Sequence, residues 1–389
     1  MKIGFFTDSF RPYTSGVVRS IEVFTQEYTS RGHKVYIFGP DYPLFRSKRK
    51  TPKEEDVYRF LSIPAPTFSD YIIPIPVSPQ LKSTVKQINL DIIHAHSPFL
   101  LGRMGARVAR RLGIPLVFTH HTLYEQYVHY FPIARKTSKR MIVNYARDFC
   151  NKCNLVITPS FPVKKYLYQM GVRAPIQVIP TGIELEEFQN TDSEWLQRNY
   201  SIKPEEKVLL FVGRVGQEKN LPFLLRAFKQ VLEIVPDTKL VIVGSGPQEN
   251  YLHQLCADLN IKNKVIFTGL LPRHKVVHCF ASADIFTFPS VSETQGLVIG
   301  EAKASGLPVI AIKAYGTADM VSHGEDGFLS DISLRSYKNH ILKLLTDDNL
   351  LGQMSKNALE NARYLSSSYY AELMLQNYEQ LIKYKKISY

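Results

Sequence analysis

Cysteine is scarce in this sequence: four residues in 389, at positions 150, 153, 256 and 279, too few to staple a chain of this length. Long apolar runs are missing as well. Nothing reaches the roughly 18 uncharged residues of a membrane-spanning helix. The nearest stretch, Tyr71-Ile-Ile-Pro-Ile-Pro-Val77, is short and broken by prolines. The first apolar segment, Ile3–Phe6, meets Asp8 almost at once, which is not the pattern of a secretory signal. These absences predict a reducing, cytoplasmic setting. Low-complexity tracts, short-period repeats and an Asp-X-Asp pair of the kind that holds Mg²⁺ are also missing. Acidic residues are the rarer charge, 35 against 48 Lys and Arg, and the imbalance is local. Residues 1–190 hold 26 basic and 14 acidic residues, whereas 191–389 hold 22 and 21. A positive field confined to the first half points to a polyanionic partner there, either an anionic membrane surface or nucleic acid.

What is present is a globular balance, 44% hydrophobic and 21% charged, at a length that predicts two or three domains. The opening reads as strand Lys2–Thr7, a loop holding Pro12 and Gly16, a helix from about Val17 to Arg31, and strand Lys34–Gly39, a β-α-β unit. Further apolar runs follow at 91–96, 115–119, 155–158 and 176–179, with helical periodicity at 101–112 and 141–150. After the acidic, turn-rich stretch 183–204 a second alternation begins, with strands at 207–212, 239–243, 264–268, 285–288 and 308–311. Helices fall near 221–233, 249–259 and 297–304, and a last helical run covers 369–385. Such alternation predicts an α/β protein made of two Rossmann-like, doubly wound domains that meet near residues 182–200. Ligands of such sheets bind beyond the carboxyl ends of the strands, so the post-strand loops carry the functional information, and the cleft between two facing domains is the expected site.

Two loops stand out. Val212-Gly-Arg-Val-Gly-Gln-Glu-Lys-Asn220 leaves a strand and enters a helix, placing Arg214 and Lys219 beside two glycines and a helix start. Glycines admit close backbone approach, the helix end offers unpaired N–H groups, and two cations offset a diphosphate without a metal. Taken alone, the loop also reads as two solvated charges. Ser290-Val-Ser-Glu-Thr-Gln-Gly-Leu-Val-Ile-Gly-Glu-Ala302 spaces Glu293 and Glu301 eight apart, the first on a post-strand loop and the second two turns into the next helix. Carboxylates accept from vicinal hydroxyls, and the N–H groups of Thr294 to Leu297 suit phosphate or sugar oxygens. Singly, the two glutamates are also ordinary helix-terminus and surface charges.

Together these features resemble glycosyltransferase family 4, retaining enzymes of the GT-B fold. The likeness covers nearly the whole chain: Pro12…Gly16, Thr119-His-His-Thr122, Val178-Ile-Pro-Thr-Gly-Ile183 and Val243-Gly-Ser-Gly-Pro247 fall in the family's order. The Glu-Thr-Gln-Gly-Leu wording, with His94-Ala-His-Ser-Pro-Phe99, is most similar to the bacterial diacylglycerol glucosyltransferases. The resemblance implies GT-B architecture, with an acceptor and membrane domain at 1–185, a nucleotide-sugar domain at 186–368, and a helix at 369–389 returning to the first domain. It implies that Glu293 holds donor-sugar hydroxyls and that Thr294, Gln295, Gly296 and Leu297 contact sugar and phosphate through backbone N–H. Glu301 would take the ribose hydroxyls, Arg214 and Lys219 the departing diphosphate, and Gly16 and Gly244 would lie against the donor. His121 would sit near the sugar, where it orients the donor and steadies the transition state. The expected reaction carries glucose from UDP-glucose to diacylglycerol with no metal or other cofactor. Other acceptors, a nucleotide-sugar epimerase, or a catalytically dead nucleotide-sugar binding protein remain open on the same architecture. The chain departs from the family's paired glycines at Ser15-Gly16, from its Asn-Gly-Ile-Asp at Thr181-Gly-Ile-Glu184, and from a phenylalanine at Gln295, which favours the lipid-glucosylating branch.

Four features carry readings of their own. His94, His96, His120, His121 and His129 crowd 36 residues; His94 and His96 share a strand face, so a zinc site is conceivable, but no cysteine or carboxylate spacing completes it. Cys150-Asn-Lys-Cys153 has redox spacing at the end of a helical run without a second pair, and reads as structural. Gly244-Ser-Gly246 has Glu249 where a dinucleotide fingerprint needs its third glycine. The basic residues gather in Arg46–Lys50, where Lys48, Arg49 and Lys50 stand, and in 135–152. There a helical projection puts Lys136, Arg140 and Arg147 on one face, opposite Ile142, Tyr145, Phe149 and Cys153. Either the apolar side packs on the first domain and the charges face water, or the helix lies on an anionic leaflet, a peripheral position on the inner face of the cell membrane. No groove-reading or RNA-binding signature accompanies the charge, so nucleic acid is not the expected partner.

Overall fold

The computed structural model describes residues 1–42, 55–65, 68–77, 81–126 and 135–387, the side chains of 68–71, 82, 126, 135–138 and 386–387 excepted. Lys48, Arg49 and Lys50, with Leu44, Phe45 and His129, lie outside the described residues. The chain forms two compact units, 1–182 with 367–389, and 183–366.

Unit 1 begins with β1 (Lys2–Phe6), α1 (Gly16–Ser30), β2 (Lys34–Pro40), β3 (Val57–Phe60), β4 (Ser62–Ala65), β5 (Phe68–Pro74) and α2 (Leu81–Ile88). It continues with β6 (Ile92–Ala95), α3 (Leu100–Leu112), β7 (Leu116–Thr119), α4 (Arg135–Cys150), β8 (Leu155–Thr158), α5 (Phe161–Gln169) and β9 (Ile176–Val178). Seven strands make one parallel sheet in the order β3-β2-β1-β6-β7-β8-β9. Alternation along β1 sends Ile3 and Phe5 to one core and Phe6 to another, where it stacks on Phe38 with centroids 4.3 Å apart. Ser15 caps α1, its hydroxyl accepting from the Val18 N–H, and Val18, Ile21, Phe24 and Tyr28 form the buried stripe of that helix.

Unit 2 contains α6 (Trp195–Tyr200), β10 (Lys207–Val212), α7 (Leu221–Leu232), β11 (Thr238–Val243), α8 (Glu249–Asp258), β12 (Val265–Gly269) and α9 (Arg273–Ala281). After these come β13 (Ile285–Phe288), α10 (Leu297–Ala304), β14 (Val309–Ile312), α11 (Thr317–Met320), β15 (Gly327–Ser330), α12 (Leu334–Leu345) and α13 (Asp348–Ala362). Its parallel sheet runs β12-β11-β10-β13-β14-β15. Apart from Lys207 and Thr287, the strands β10, β13 and β14 are apolar on both faces because helices cover both sides. In each unit the strand order reverses at one place, between β1 and β6 in unit 1 and between β10 and β13 in unit 2. At such a point the two post-strand loops part and leave a crevice.

Several expectations shift. Division falls after Gly182, and the chain rejoins unit 1 at Ser367. Gly16 opens α1 instead of standing in a loop, and Glu301 is the fifth residue of α10, little more than one turn in. The proline-broken segment at 71–77 supplies the end of β5, which pairs antiparallel with β4 as a separate hairpin. The final helix, α14 (Ser367–Ile387), places Ala371, Met374, Leu375 and Tyr378 in the core formed with Ile21, Phe24 and Tyr28. Four apolar side chains at i, i+3, i+4 and i+7 hold it there, the three large ones each contributing about 1.5–3 kcal/mol on full burial and Ala371 less. Tyr378→Ala is therefore expected to destabilise unit 1 by about 3–5 kcal/mol, and Tyr378→Phe, which removes only the hydroxyl, by about 1–2 kcal/mol. Urea unfolding checks both; equal losses for the two variants would contradict the packing role.

Candidate functional site

The reversal in unit 2 brings the two singled-out loops to one edge of the sheet. Beyond β10 the chain runs Gly213 to Gly216, and beyond β11 it runs Gly244 to Gly246, and the loops are stitched backbone to backbone. Gly213 N–H donates to Val243 O at 2.9 Å, Val215 N–H to Ser245 O at 3.0 Å, and Gln248 N–H to Val215 O at 3.1 Å. This closeness explains the glycines. A Cβ on Gly244, whose φ is +130°, would stand 2.0 Å from Gly213 O, and one on Gly246 would stand 2.4 Å from Val215 O. Gly244-Ser-Gly246 is thus a packing necessity of the strand edge, which accounts for the incomplete fingerprint.

Residues Gln217–Lys219 form a 3-10 turn, and Asn220 at φ +53° starts α7. Glu218 is buried beneath Gly216, with the Arg214 guanidinium 3.9 Å from its carboxylate. Lys219 Nζ donates to Glu293 Oε1 and lies 5.3 Å from the centre of the Phe288 ring. The Ser290 hydroxyl stands 3.1 Å from both Glu293 Oε1 and Glu218 O, so the β10 and β13 loops share one polar network. Arg214, Lys219 and Glu293 therefore form one cluster at the switch point. Two cations and a carboxylate in a half-buried crevice can receive an anion on one side and hydroxyl groups on the other.

Past Glu293 the loop is held from behind: Gly316 N–H donates to Glu293 O at 2.9 Å, and a Cβ on Gly316 would stand 2.2 Å from Thr294 O. Gln295 is buried, Gly296 takes the left-handed conformation at φ +86°, and Leu297 begins α10. Leading N–H groups of a helix have no intrahelical acceptor, so the Thr294–Leu297 stretch feeds into an anion-receptive helix end. Glu301, on the same helix, is buried and paired at 2.7 Å with Nη1 of Arg273. Arg273 also donates through Nε at 3.0 Å and Nη2 at 2.6 Å to Glu187 Oε2. Burial opposes the Arg273 charge, but Glu301 and Glu187 outweigh it and hold the guanidinium's pKa above its ordinary value. Neither Arg273 nor Glu187 was singled out in the sequence, where 86 residues separate them and no motif links them.

His121 and Gly16 belong to unit 1. Gly16 has open space where a side chain would stand. His121 follows β7, and its Nε2 lies 2.9 Å from His96 Nδ1 at the end of β6. His96 stacks on His94 at 4.4 Å, and His94 is bonded to Thr119 Oγ1 at 2.7 Å and to the Tyr378 hydroxyl. Desolvation lowers the pKa of all four imidazoles at 94, 96, 120 and 121, with His120 brought to about 4. Among the described residues no group of three or more His, Cys, Asp or Glu side chains is arranged to hold a metal ion. The cysteines 150 and 153 are buried free thiols, Cys150 pushed up to about 12 by burial, so neither is a thiolate. Beside the histidines, Asp8 in the loop after β1 accepts from Ser97 and from the Leu101 N–H, which anchors the start of α3 at unit 1's switch point.

On α4, Arg140 is exposed, whereas Arg147 turns along the helix to Asp148 at 2.8 Å and Asn144 at 3.1 Å. Lys136 lies in the first turn of α4. The apolar side of α4 packs inward through Phe149 and Cys150. The helix expected at 101–112, α3, carries cations that were not singled out in the sequence: Arg107, Arg110 and Arg111 are exposed and Arg103 lies over the Tyr145 ring at 3.9 Å.

Residues 14–187 match the family model described as Glycosyltransferase Family 4, and residues 192–361 the one described as Glycosyl transferases group 1. An alpha-monoglucosyldiacylglycerol synthase of Streptococcus pneumoniae is 37% identical over 318 residues, 80% of this chain and 71% of that protein. A protein of the same name from Acholeplasma laidlawii is 27% identical over 384 residues, 96% of this chain and 95% of its own. The solved structure of sucrose-phosphate synthase from Thermosynechococcus elongatus matches with a TM-score of 0.79 at 21% identity, over 98% of this chain and 99% of that one, a likeness of fold.

The histidine cluster generates a pH dependence. Between about 4 and the unfolded value near 6.5, the unfolded chain binds protons that the buried imidazole of His120 refuses. Stability is therefore complete above about pH 6.5 and falls on acidification, by up to about 1.4 kcal/mol per pH unit for each such histidine. Urea midpoints of unit 1 measured from pH 7 to pH 5 should decline, and His120→Asn should flatten the slope; a level profile would mean that these imidazoles titrate normally.

Proposed function

The chain belongs to the family 4 glycosyltransferases of the GT-B fold, and from that premise we propose that it is a retaining enzyme moving glucose from UDP-glucose to the free hydroxyl of diacylglycerol. The observation that carries the reading is the cluster of Arg214, Lys219 and Glu293 at the β10/β13 switch point. Arg214 and Lys219 receive the diphosphate and stabilise the charge that builds on it as the sugar departs, so the reaction draws its positive charge from side chains and needs no metal ion. Glu293 holds sugar hydroxyls, Thr294 to Leu297 contact sugar and phosphate oxygens through N–H groups, and Glu301 takes the ribose hydroxyls. The resemblance assigns Gly16 and Gly244 to the donor and His121 to the sugar. In the transfer, the bond between the anomeric carbon and the phosphate oxygen breaks, the acceptor oxygen bonds to that carbon on the same face, and the acceptor's proton passes to the leaving phosphate oxygen.

Names of the relatives support diacylglycerol as the acceptor class. Among the described residues no helix is long and apolar enough to cross a membrane. We place the enzyme peripherally on the inner face of the cell membrane, with unit 1 toward anionic lipid through Arg107, Arg110, Arg111, Arg140 and Lys136, joined by Lys48, Arg49 and Lys50.

The testing experiment measures UDP release from UDP-glucose with liposomes of diacylglycerol and anionic lipid, and analyses the product. An α-glucosyl diacylglycerol is expected; a β-anomer or UDP release without glycolipid would refute the reading. Lys219→Ala should lower kcat/KM by at least about 2 kcal/mol, roughly 30-fold. Unchanged turnover would remove Lys219 from the diphosphate site.

A further inference from the structure

Arg273 lies outside every motif that carries the family resemblance, yet it is the residue on which Glu301 rests. We infer that Arg273 is a positioning residue: it fixes the Glu301 carboxylate in the orientation that accepts the ribose hydroxyls, and thereby sets the preference for a ribonucleotide over a 2′-deoxyribonucleotide donor. The inference rests on the reading of Glu301 as the ribose ligand.

A carboxylate on a helix, buried to 6% exposure, has a rotatable end and little water to orient it. Here Nη1 of Arg273 holds Oε1 at 2.7 Å. The guanidinium cannot swing away. Its Nε and Nη2 both donate to Glu187 Oε2, at 3.0 and 2.6 Å, and its central carbon lies 5.4 Å from the centre of the Phe188 ring. Glu187 and Phe188 come from the 3-10 turn Leu185–Phe188, Arg273 from α9 and Glu301 from α10, so three separate pieces of chain fix one carboxylate plane. Two carboxylates against one guanidinium also leave a net negative charge, which is what an acceptor of hydroxyl protons needs. A lysine would supply the charge without the planar fork.

Calorimetric titration of the full chain with UDP and with 2′-deoxy-UDP tests this without any acceptor or turnover. The wild type should bind UDP about 10-fold or more tighter than 2′-deoxy-UDP, the value of a hydrogen bond to a charged group. Glu301→Gln should abolish that ratio. Arg273→Gln and Arg273→Lys should also abolish it, by weakening UDP while leaving 2′-deoxy-UDP nearly unchanged. The lysine variant keeps the counter-charge, which guards against a fold lost to two unpaired carboxylates. Should Glu301→Gln remove the ratio while Arg273→Lys retains it, the positioning role is overturned and the ribose reading survives. Equal weakening of both nucleotides by the Arg273 variants overturns it as well, because that marks a merely structural residue. A ratio untouched by Glu301→Gln, or a wild type that binds neither nucleotide, brings down the ribose reading and the inference with it.

Discussion

Parallel pairing is the constraint from which the rest follows. Each strand of the two large sheets must be joined to the next by a crossover, so within a unit every post-strand loop emerges at the same edge. Residues far apart in sequence, such as Lys219 and Glu293, are thereby delivered to one place without any contact being required between the helices that separate them. Where strand order reverses, adjacent loops diverge, and polar side chains find room that the closely stitched Gly213 and Gly244 loops do not leave.

The charged groups of the unit 2 site are held against opposite charges, with one carboxylate in excess. Lys219 and Glu293 satisfy one another, Arg214 stands near Glu218, and Arg273 answers Glu301 and Glu187. Charges held in a half-buried site need such partners to avoid a desolvation penalty. The same pairing orients each group before a ligand arrives, so that binding exchanges partners instead of ordering free side chains.

Much of this was legible from sequence because doubly covered strands are near-continuous apolar runs: β8, β10 and β13 coincide with the runs at 155–158, 207–212 and 285–288. The loops beyond them announced Arg214, Lys219 and Glu293 by residue type and position. The β4–β5 hairpin was not legible, since the prolines of 71–77 read as breaks and its pairing depends on partners outside the main sheet. Arg147 shows a different limit. Helical periodicity put it on a basic face, but its neighbour Asp148 captured the guanidinium, a short-range contact that a projection cannot register. Arg273 and Glu187 were invisible for the opposite reason, their meeting being set by tertiary structure alone. Arg107, Arg110 and Arg111 stand in the sequence of a helix that periodicity does reveal, but three charges on a helix carry no spacing that separates a docking face from an ordinary solvated one.

The path of α14 bears on how the protein is made. Synthesis runs from the amino terminus, and domains generally fold as they emerge. Unit 2 has its whole sequence, 183–366, available before Ser367 is added, but the core of unit 1 lacks Ala371, Met374, Leu375 and Tyr378 until the segment that follows unit 2 leaves the ribosome. Of the two units, the one whose translation starts first is thus the later to close, and its apolar face around Tyr28 waits, uncovered, through the synthesis of unit 2.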